Sequence, residues 1–189
     1  MIAVVSDSHI PTRADEIPEK FWEKIEEADI TVHAGDYDRE ETFNALQTYA
    51  NDFYGVKGNC DFFEADELEQ SKTFGYEGFS FGVYHGTGIT PRAHTPTLVK
   101  IVEEDLDAQI LIHGHSHQGD IELEEGKLLL NPGSCTGAGG GTARESNPTM
   151  MIVKVEEGGI AVKILELEEN ELRTIEERIF DAEQIKNSG

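Results

Sequence analysis

Positive charge is the scarcest feature of this chain. Lys and Arg together number 15 against 38 Asp and Glu, a formal net charge of −23 at pH 7. A protein that tracks a nucleic-acid backbone needs a basic face to neutralise phosphates, so this balance argues against an extended nucleic-acid surface. Cysteine is nearly as rare. Cys60 and Cys135 are the only two among 189 residues. They do not make a disulfide framework, and a reducing cytoplasm is the simpler expectation. Long apolar runs are missing as well. Hydrophobic residues make up 38% but fall in short stretches, far from the roughly 20 residues a membrane helix needs. The opening stretch MIAVVSDSH has no basic segment ahead of an apolar one, so no secretory signal is expected.

An acidic excess of this size repels itself in dilute buffer. Molar salt shortens the screening length to ~3 Å and relieves that repulsion. The composition therefore suits a protein working at high salt, as in the cytoplasm of a halophilic archaeon. An ordinary acidic cytosolic protein is the alternative.

The length fits one domain with a substantial core. With no internal repeat or dividing linker, residues 1–180 read as a single domain. The polar tail, 181–189, is expected to fray. Met1 to Ser6 is a short apolar, β-branched run, predicting a buried strand. Pro18 to Ala28 predicts a helix with Pro18 in its first turn and Phe21, Trp22 and Ile25 on one face. Asp29 to Ala34 predicts a strand. Asp38 to Ala50 predicts a helix, with Asp38 and Glu41 in capping-box positions. Phe53 to Val56 predicts a third strand. Strand, helix, strand, helix, strand implies parallel strands with right-handed crossovers. The second half predicts hairpins: Ser71–Tyr76 with Phe79–Tyr84, Asp120–Glu124 with Lys127–Asn131, and Thr149–Glu156 with Ile160–Glu168 across Gly158-Gly159. A helix over Thr95–Leu106, a strand over Gln109–His113 and an edge strand over Leu172–Ile179 complete the pattern. Two packed sheets with helices outside would bury both sets of apolar faces. Phe21, Trp22, Phe43, Phe53 and Phe81 are expected in the core.

Polar motifs recur where these strands end. Asp7-Ser8-His9 follows the first strand, and residues i and i+2 of an extended strand point the same way. Gly35-Asp36 ends the second, with a carboxylate able to bridge two cations. Gly58-Asn59-Cys60-Asp61 follows the third and offers the Asn59 carbonyl oxygen. His85-Gly86 ends a hairpin strand. Gly114-His115-Ser116-His117 presents two imidazoles, common ligands for transition metals. Taken singly, each has an ordinary explanation as a polar turn or a structural histidine. Their conjunction, in this order and each behind a strand, is specific.

In that ordered set the sequence resembles the calcineurin-like metallophosphoesterase superfamily. Within it, the chain is similar to small archaeal and bacterial YfcE-type phosphodiesterases, relatives of the retromer subunit Vps29. The resemblance runs from Ile2 to about Val155 and takes in Asn131-Pro132-Gly133-Ser134. It implies an α/β fold, a four-layer αββα sandwich of two mixed sheets, with two divalent metals in a cleft between strand ends. Asp7, His9 and His117 would hold one metal. Asn59, His85 and His115 would hold the other, and Asp36 would bridge them. Manganese is the leading expectation, with nickel, iron or zinc as alternatives that suit N/O donors. The implied activity is hydrolysis of small phosphodiesters by in-line attack of a metal-bridging hydroxide, with Asp36, Asn59 and His85 central to catalysis. A homo-oligomer, dimer or tetramer, is also implied. The competing reading is a non-catalytic Vps29-like interaction scaffold. A scaffold is free to lose metal ligands, and all seven residues are present.

The chain departs from the wider superfamily in two places. Cys60 stands where many members carry a histidine that protonates the leaving group, and a thiol is a poor substitute near neutral pH. Thr87 replaces a second histidine after His85-Gly86. Asp61 is expected to support the site rather than bind metal. Arg92, His94 and Arg144 could touch a substrate phosphate, although solvated surface is the simpler role. His33 and His113 are expected to be structural. Gly137 and Gly139 to Gly141 form a loop without the following Lys-Ser/Thr of a Walker phosphate loop.

Overall fold

The computed structural model describes residues 1–65, 68–140 and 144–186. Two sheets carry the fold. The first orders its strands β11-β10-β9-β1-β2-β3, where β1 is Ile2–Val5, β2 Ile30–His33, β3 Phe53–Gly55, β9 Thr149–Glu156, β10 Gly159–Glu168 and β11 Glu171–Asp181. The second runs β4-β5-β6-β8-β7, with β4 Ser71–Tyr76, β5 Phe79–Tyr84, β6 Ile110–Ile112, β7 Gly119–Glu124 and β8 Lys127–Pro132. As the strand–helix alternation predicts, β1, β2 and β3 pair in parallel. In the second sheet β5, β6 and β8 are parallel too. Both sheets are mixed, because β9 pairs antiparallel to β1 and β7 antiparallel to β8.

The period of two along each strand builds the layers. Ile2 and Val4 of β1, Ile110 and Ile112 of β6, and Leu128 and Leu130 of β8 meet in the apolar layer between the sheets. Ala3 and Val5 face the other way, onto Phe21 and Ile25 of α1 (Glu19–Glu27) and Phe43 and Leu46 of α2 (Glu40–Tyr49). Leu111 and Leu129 face outward from the second sheet onto Leu98 and Val99 of α3 (Thr95–Lys100), which runs on into a π-helical turn over Ile101–Asp105. The result is the expected αββα order. Phe21, Phe43 and Phe81 are buried, while Trp22 and Phe53 pack at the edge of the core.

Four local readings differ from the sequence expectation. Pro18 stands at the N-cap of α1 rather than in its first turn. Asp38 does not cap α2; that position falls to Arg39, without a side-chain hydrogen bond, because the Asp38 carboxylate is turned to His9. The hairpin between β9 and β10 turns one residue early, pairing Glu156 with Gly159. The segment after Asp181 does not fray at once. Ala182–Gln184 forms a 3₁₀ turn capped by Asp181, Ile185 is buried, and Lys186 N–H donates to the Gly126 carbonyl at 2.8 Å. Residues 187–189 lie outside the described residues.

Candidate metal centre

The parallel strands of both sheets end toward one place. Past β1 come Asp7 and His9, past β2 Asp36, past β5 His85, and past β6 His115 and His117. Ligands in open α/β sheets gather at such carboxyl ends. The chain does not reach the site by simply extending the strand pleat. Asp7, His9, Asp36, His115 and His117 all have positive φ, between 47° and 68°. Left-handed backbone costs an ordinary L-residue about 1–2 kcal/mol, although Asp and His tolerate it better than most. Five such residues in one cluster are therefore held there by their surroundings.

Glycine makes the close approaches possible. A Cβ on Gly58 would sit 2.1 Å from Asp36 Oδ1, and one on Gly114 would sit 2.7 Å from Asp7 Oδ2. The glycines of the G-N and G-H motifs thus provide clearance for the acidic side chains of neighbouring loops. Asp61 shapes the same region from below. Its buried carboxylate accepts four backbone N–H groups: Asp36 at 3.0 Å, Tyr37 at 2.7 Å, Asp38 at 2.9 Å and Gly58 at 2.7 Å. The Asn131–Ser134 segment ties two other motifs together. Asn131 Nδ2 donates to the Gly114 carbonyl at 3.1 Å and to Ser116 Oγ at 2.9 Å, while Ser134 Oγ donates to the Asp7 carbonyl at 2.8 Å.

Side chains converge in three groups, of which His9, Asp38 and Cys60 form one and the other two share Asp36. Asp7, His9, Asp36 and His117 place donor atoms within 4.8 Å of one another, and so do Asp36, His85 and His115. Asp36 Oδ2 lies 3.5 Å from His9 Nε2 and 3.3 Å from His85 Nε2. Its other oxygen, Oδ1, accepts the Cys60 N–H at 2.7 Å.

Hydrogen bonds outside the cluster decide which ring nitrogen faces in. His85 Nδ1–H donates to the Ala34 carbonyl and His117 Nδ1–H to the Ala138 carbonyl, both at 2.6 Å. His9 Nδ1 is 2.9 Å from Asp38 Oδ1. Each ring therefore turns Nε2 inward, in the arrangement that orients metal-binding histidines.

Several of those inward atoms crowd together. His9 Nε2 and His117 Nε2 face each other at 3.3 Å. Asp7 Oδ1 is buried without a hydrogen-bond partner among the described residues, 3.3 Å from His117 Nε2. A cation satisfies such a set of converging acceptors. The donors are imidazole nitrogens and carboxylate oxygens, which fit a borderline divalent transition metal better than calcium.

Electrostatics agree with that fit. Burial lowers the His9 pKa to about 4, despite Asp36 and Asp7. Burial, with His85 and Arg92 nearby, brings His115 to about 4 as well. Both rings are neutral at pH 7. Burial works against the charged form of His85 too, but Asp36 and Asp7 outweigh it and raise this ring to about 9. Burial opposes ionisation of Asp36, yet His85 and the Cys60 N–H hold its carboxyl well below the usual range.

The remaining expected residues do not all join this cluster. Asn59 is exposed, and its amide nitrogen donates to Cys60 Sγ at 3.2 Å, which leaves its carbonyl oxygen for other use. Burial and Asp36 push the Cys60 thiol up to about 12, so it stays protonated. Arg92 donates to the His115 carbonyl at 2.8 Å. Arg144 is exposed and lines neither of the clefts beside the centre. His33 is structural in this setting: it stacks on Tyr37 at 3.8 Å and accepts the Gly35 N–H at 3.1 Å. His113 is buried with Nδ1 3.2 Å from Asn131 Nδ2. Of the glycine loop, Gly139 accepts from Arg13 at 2.8 Å, and Gly141 lies outside the described residues. Sequence reasoning missed Asp38 and Arg13. Asp38 orients His9, and Arg13 Nη1 reaches within 3.4 Å of His9 Nε2. Neither carries a signal of its own beyond proximity to D-x-H and G-D.

The family model of the calcineurin-like phosphoesterase superfamily domain matches residues 1–158. The chain belongs to the calcineurin-like phosphoesterase superfamily. A probable metallophosphoesterase of Methanothermobacter thermautotrophicus is 36% identical over 156 residues, covering 82% of this chain and 86% of that protein. Among solved structures, the vacuolar protein sorting 29 of Cryptosporidium parvum superposes with a TM-score of 0.86 at 23% identity, covering 95% of this chain and 97% of that one. At that identity the likeness speaks for the fold. Vps29 of Entamoeba histolytica, solved with zinc, gives a TM-score of 0.82 at 27% identity, covering 95% and 99%.

Proposed function

We propose that this superfamily member is a metal-dependent phosphodiesterase acting on small diesters. One observation carries the reading: Asp36 stands within reach of both donor groups, Asp7–His9–His117 and His85–His115. A carboxylate so placed is suited to bridge a pair of cations. The proposed ligands are Asp7, His9 and His117 for one, Asn59, His85 and His115 for the other, with manganese as the leading metal. When bound, a pair of divalent ions would clamp phosphoryl oxygens and lower the pKa of water between them.

The chain's own residues supply the rest. Asp38, Ala34 and Ala138 fix the imidazole orientations. Asp61 and the Cys60 N–H fix Asp36. Preorganised groups of this kind need not rearrange as charge develops on the phosphoryl oxygens. No protein nucleophile is required. Cys60, protonated and beside Asp36, is a weak acid for the leaving group, which favours diesters whose leaving oxygen needs little help.

The scaffold reading keeps one specific support, the likeness to Vps29. Metal binding cannot separate the two readings, because a Vps29 has itself been solved with zinc. Turnover can. The test is hydrolysis of a chromogenic phosphodiester and its monoester counterpart, with added Mn²⁺ in high salt, by wild type and Asp36→Ala. Metal-dependent diester turnover that exceeds monoester turnover and disappears in Asp36→Ala is expected. A folded protein with no turnover under any divalent metal moves the assignment to the scaffold.

A further inference from the structure

Beside the candidate metal centre lies a cleft of about 420 Å³, lined by Thr12, Arg13, Asp38, Arg39, Cys60 and Phe62. Two of its lining residues touch the centre, since Asp38 holds His9 and the Cys60 N–H holds Asp36. Its outer wall is unusual. Phe62 is 90% exposed, yet the backbone on either side of it is fixed. Asp61 takes four backbone N–H groups. Phe63 packs against Tyr37 and Phe43, each with ring centroids 6.2 Å away. Folding thus accounts for Asp61 and Phe63 and leaves Phe62 displayed in water, where its ring contributes little to the fold.

The charges around that ring point the same way. Six arginines serve the whole acidic chain, and two of them, Arg13 and Arg39, line this cleft. The Arg13 guanidinium ends 3.4 Å from His9 Nε2, anchored by its bond to the Gly139 carbonyl. Planar guanidinium groups suit phosphate oxygens, and here they locally offset a net charge that would repel an anion. A second cleft, lined by Arg92, has a single arginine and no aromatic ring in its lining.

We propose that the cleft between Arg13, Arg39 and Phe62 is a subsite for the nucleoside part of a small phosphodiester, with the base stacked on Phe62 and the phosphate oxygens facing the two guanidinium groups. This rests on the phosphodiesterase reading of the adjoining centre and narrows its substrate class to nucleoside diesters. An exposed ring on a rigid backbone loses little freedom on stacking, and stacking tolerates any base. The paucity of positive charge elsewhere restricts the substrate to short molecules rather than polymers.

The test compares binding of AMP and ribose 5-phosphate, which differ by the base alone, to the Mn²⁺-loaded protein in molar salt by titration calorimetry. Wild type is expected to bind AMP about tenfold more tightly than ribose 5-phosphate, from the usual strength of one base–aromatic stack. Phe62→Ala brings the two within about twofold, and Phe62→Trp keeps the preference. Arg13→Gln weakens both ligands by a similar factor and leaves their ratio intact. Equal affinities in wild type, or a preference that survives Phe62→Ala, overturn the subsite. The diester assay reads the centre separately. Metal-dependent turnover together with equal affinities sinks the subsite alone. Absent turnover sinks the phosphodiesterase reading, whatever the ligand ratio.

Discussion

Asp61→Asn tests whether one buried carboxylate organises the whole Asp36 side of the centre. The side chain is 2% exposed. Oδ1 accepts the N–H groups of Tyr37 and Asp38, and Oδ2 those of Asp36 and Gly58. Asparagine has the same shape but only one acceptor oxygen. Whichever way its amide turns, two backbone donors face an NH₂ group and lose their partner. Each buried unsatisfied donor costs about 1–3 kcal/mol, so the variant loses about 2–6 kcal/mol of stability. For a domain of this size 1 kcal/mol moves Tm by roughly 2–4 °C, so a fall of at least about 4 °C is expected. Because Asp36, Asp38 and the Cys60 loop lose their anchor together, metal affinity should drop about 10–100-fold. Thermal unfolding of metal-free protein in molar salt reads the first effect, and calorimetric titration with Mn²⁺ reads the second. A Tm within about 1 °C of wild type together with unchanged Mn²⁺ affinity would refute this account, since no arrangement of an amide satisfies all four donors.

Other outcomes follow from the same geometry. With His85 raised to about 9 and His9 and His115 lowered to about 4, metal uptake at pH 7.5 should release about one proton, from His85; titrations in buffers of different ionisation enthalpy measure it, and zero release contradicts the assignment of His85 as the charged ring. The stability of metal-free protein has opposite slopes on the two sides of pH 6.5. Below it, His9 and His115 bind protons only when unfolded, so stability falls from 6.5 toward 4; above it, the contribution of His85 is lost as pH rises through about 9. Urea unfolding across that range should therefore show its maximum near the middle. Cys60→His should raise turnover of diesters with poor alkyl leaving groups by about 10²-fold while changing p-nitrophenyl diesters much less; an equal change for both substrates argues against a leaving-group role at this position. Finally, with a net charge of −23 the fold should weaken in dilute buffer and recover in molar salt, and identical unfolding midpoints at the two salt levels would remove the high-salt reading.

How much of this was legible beforehand depends on whether the information was local. Alternation along Ile2–Val5 and Leu128–Leu130 is written in consecutive residues, and the four layers follow from it. The convergence of the Asp and His motifs was legible because each follows a strand, and parallel strands bring their ends together whatever the loop details. The route of the chain through those motifs was not legible. An i, i+2 pair on an extended strand would have put Asp7 and His9 side by side, but the strand ends at Val5 and left-handed turns do the aiming. Asp38 shows the limit most clearly. Its spacing to Glu41 matches a helix cap, a local pattern worth about 1 kcal/mol. A buried imidazole 29 positions earlier in the chain competes for the same carboxylate and wins, since orienting a histidine in a dry site is worth more than capping a helix at the surface. Arg13 and Phe62 belong to the same class. Nothing in their neighbours' spacing marks them; they acquire meaning only when the fold sets a guanidinium and an exposed ring on either side of one cleft. In this chain the candidate ligands are therefore written in the sequence as motifs. What aims them and what meets the substrate is written in contacts between loops that are distant in the chain, and those residues are the ones left for mutagenesis to weigh.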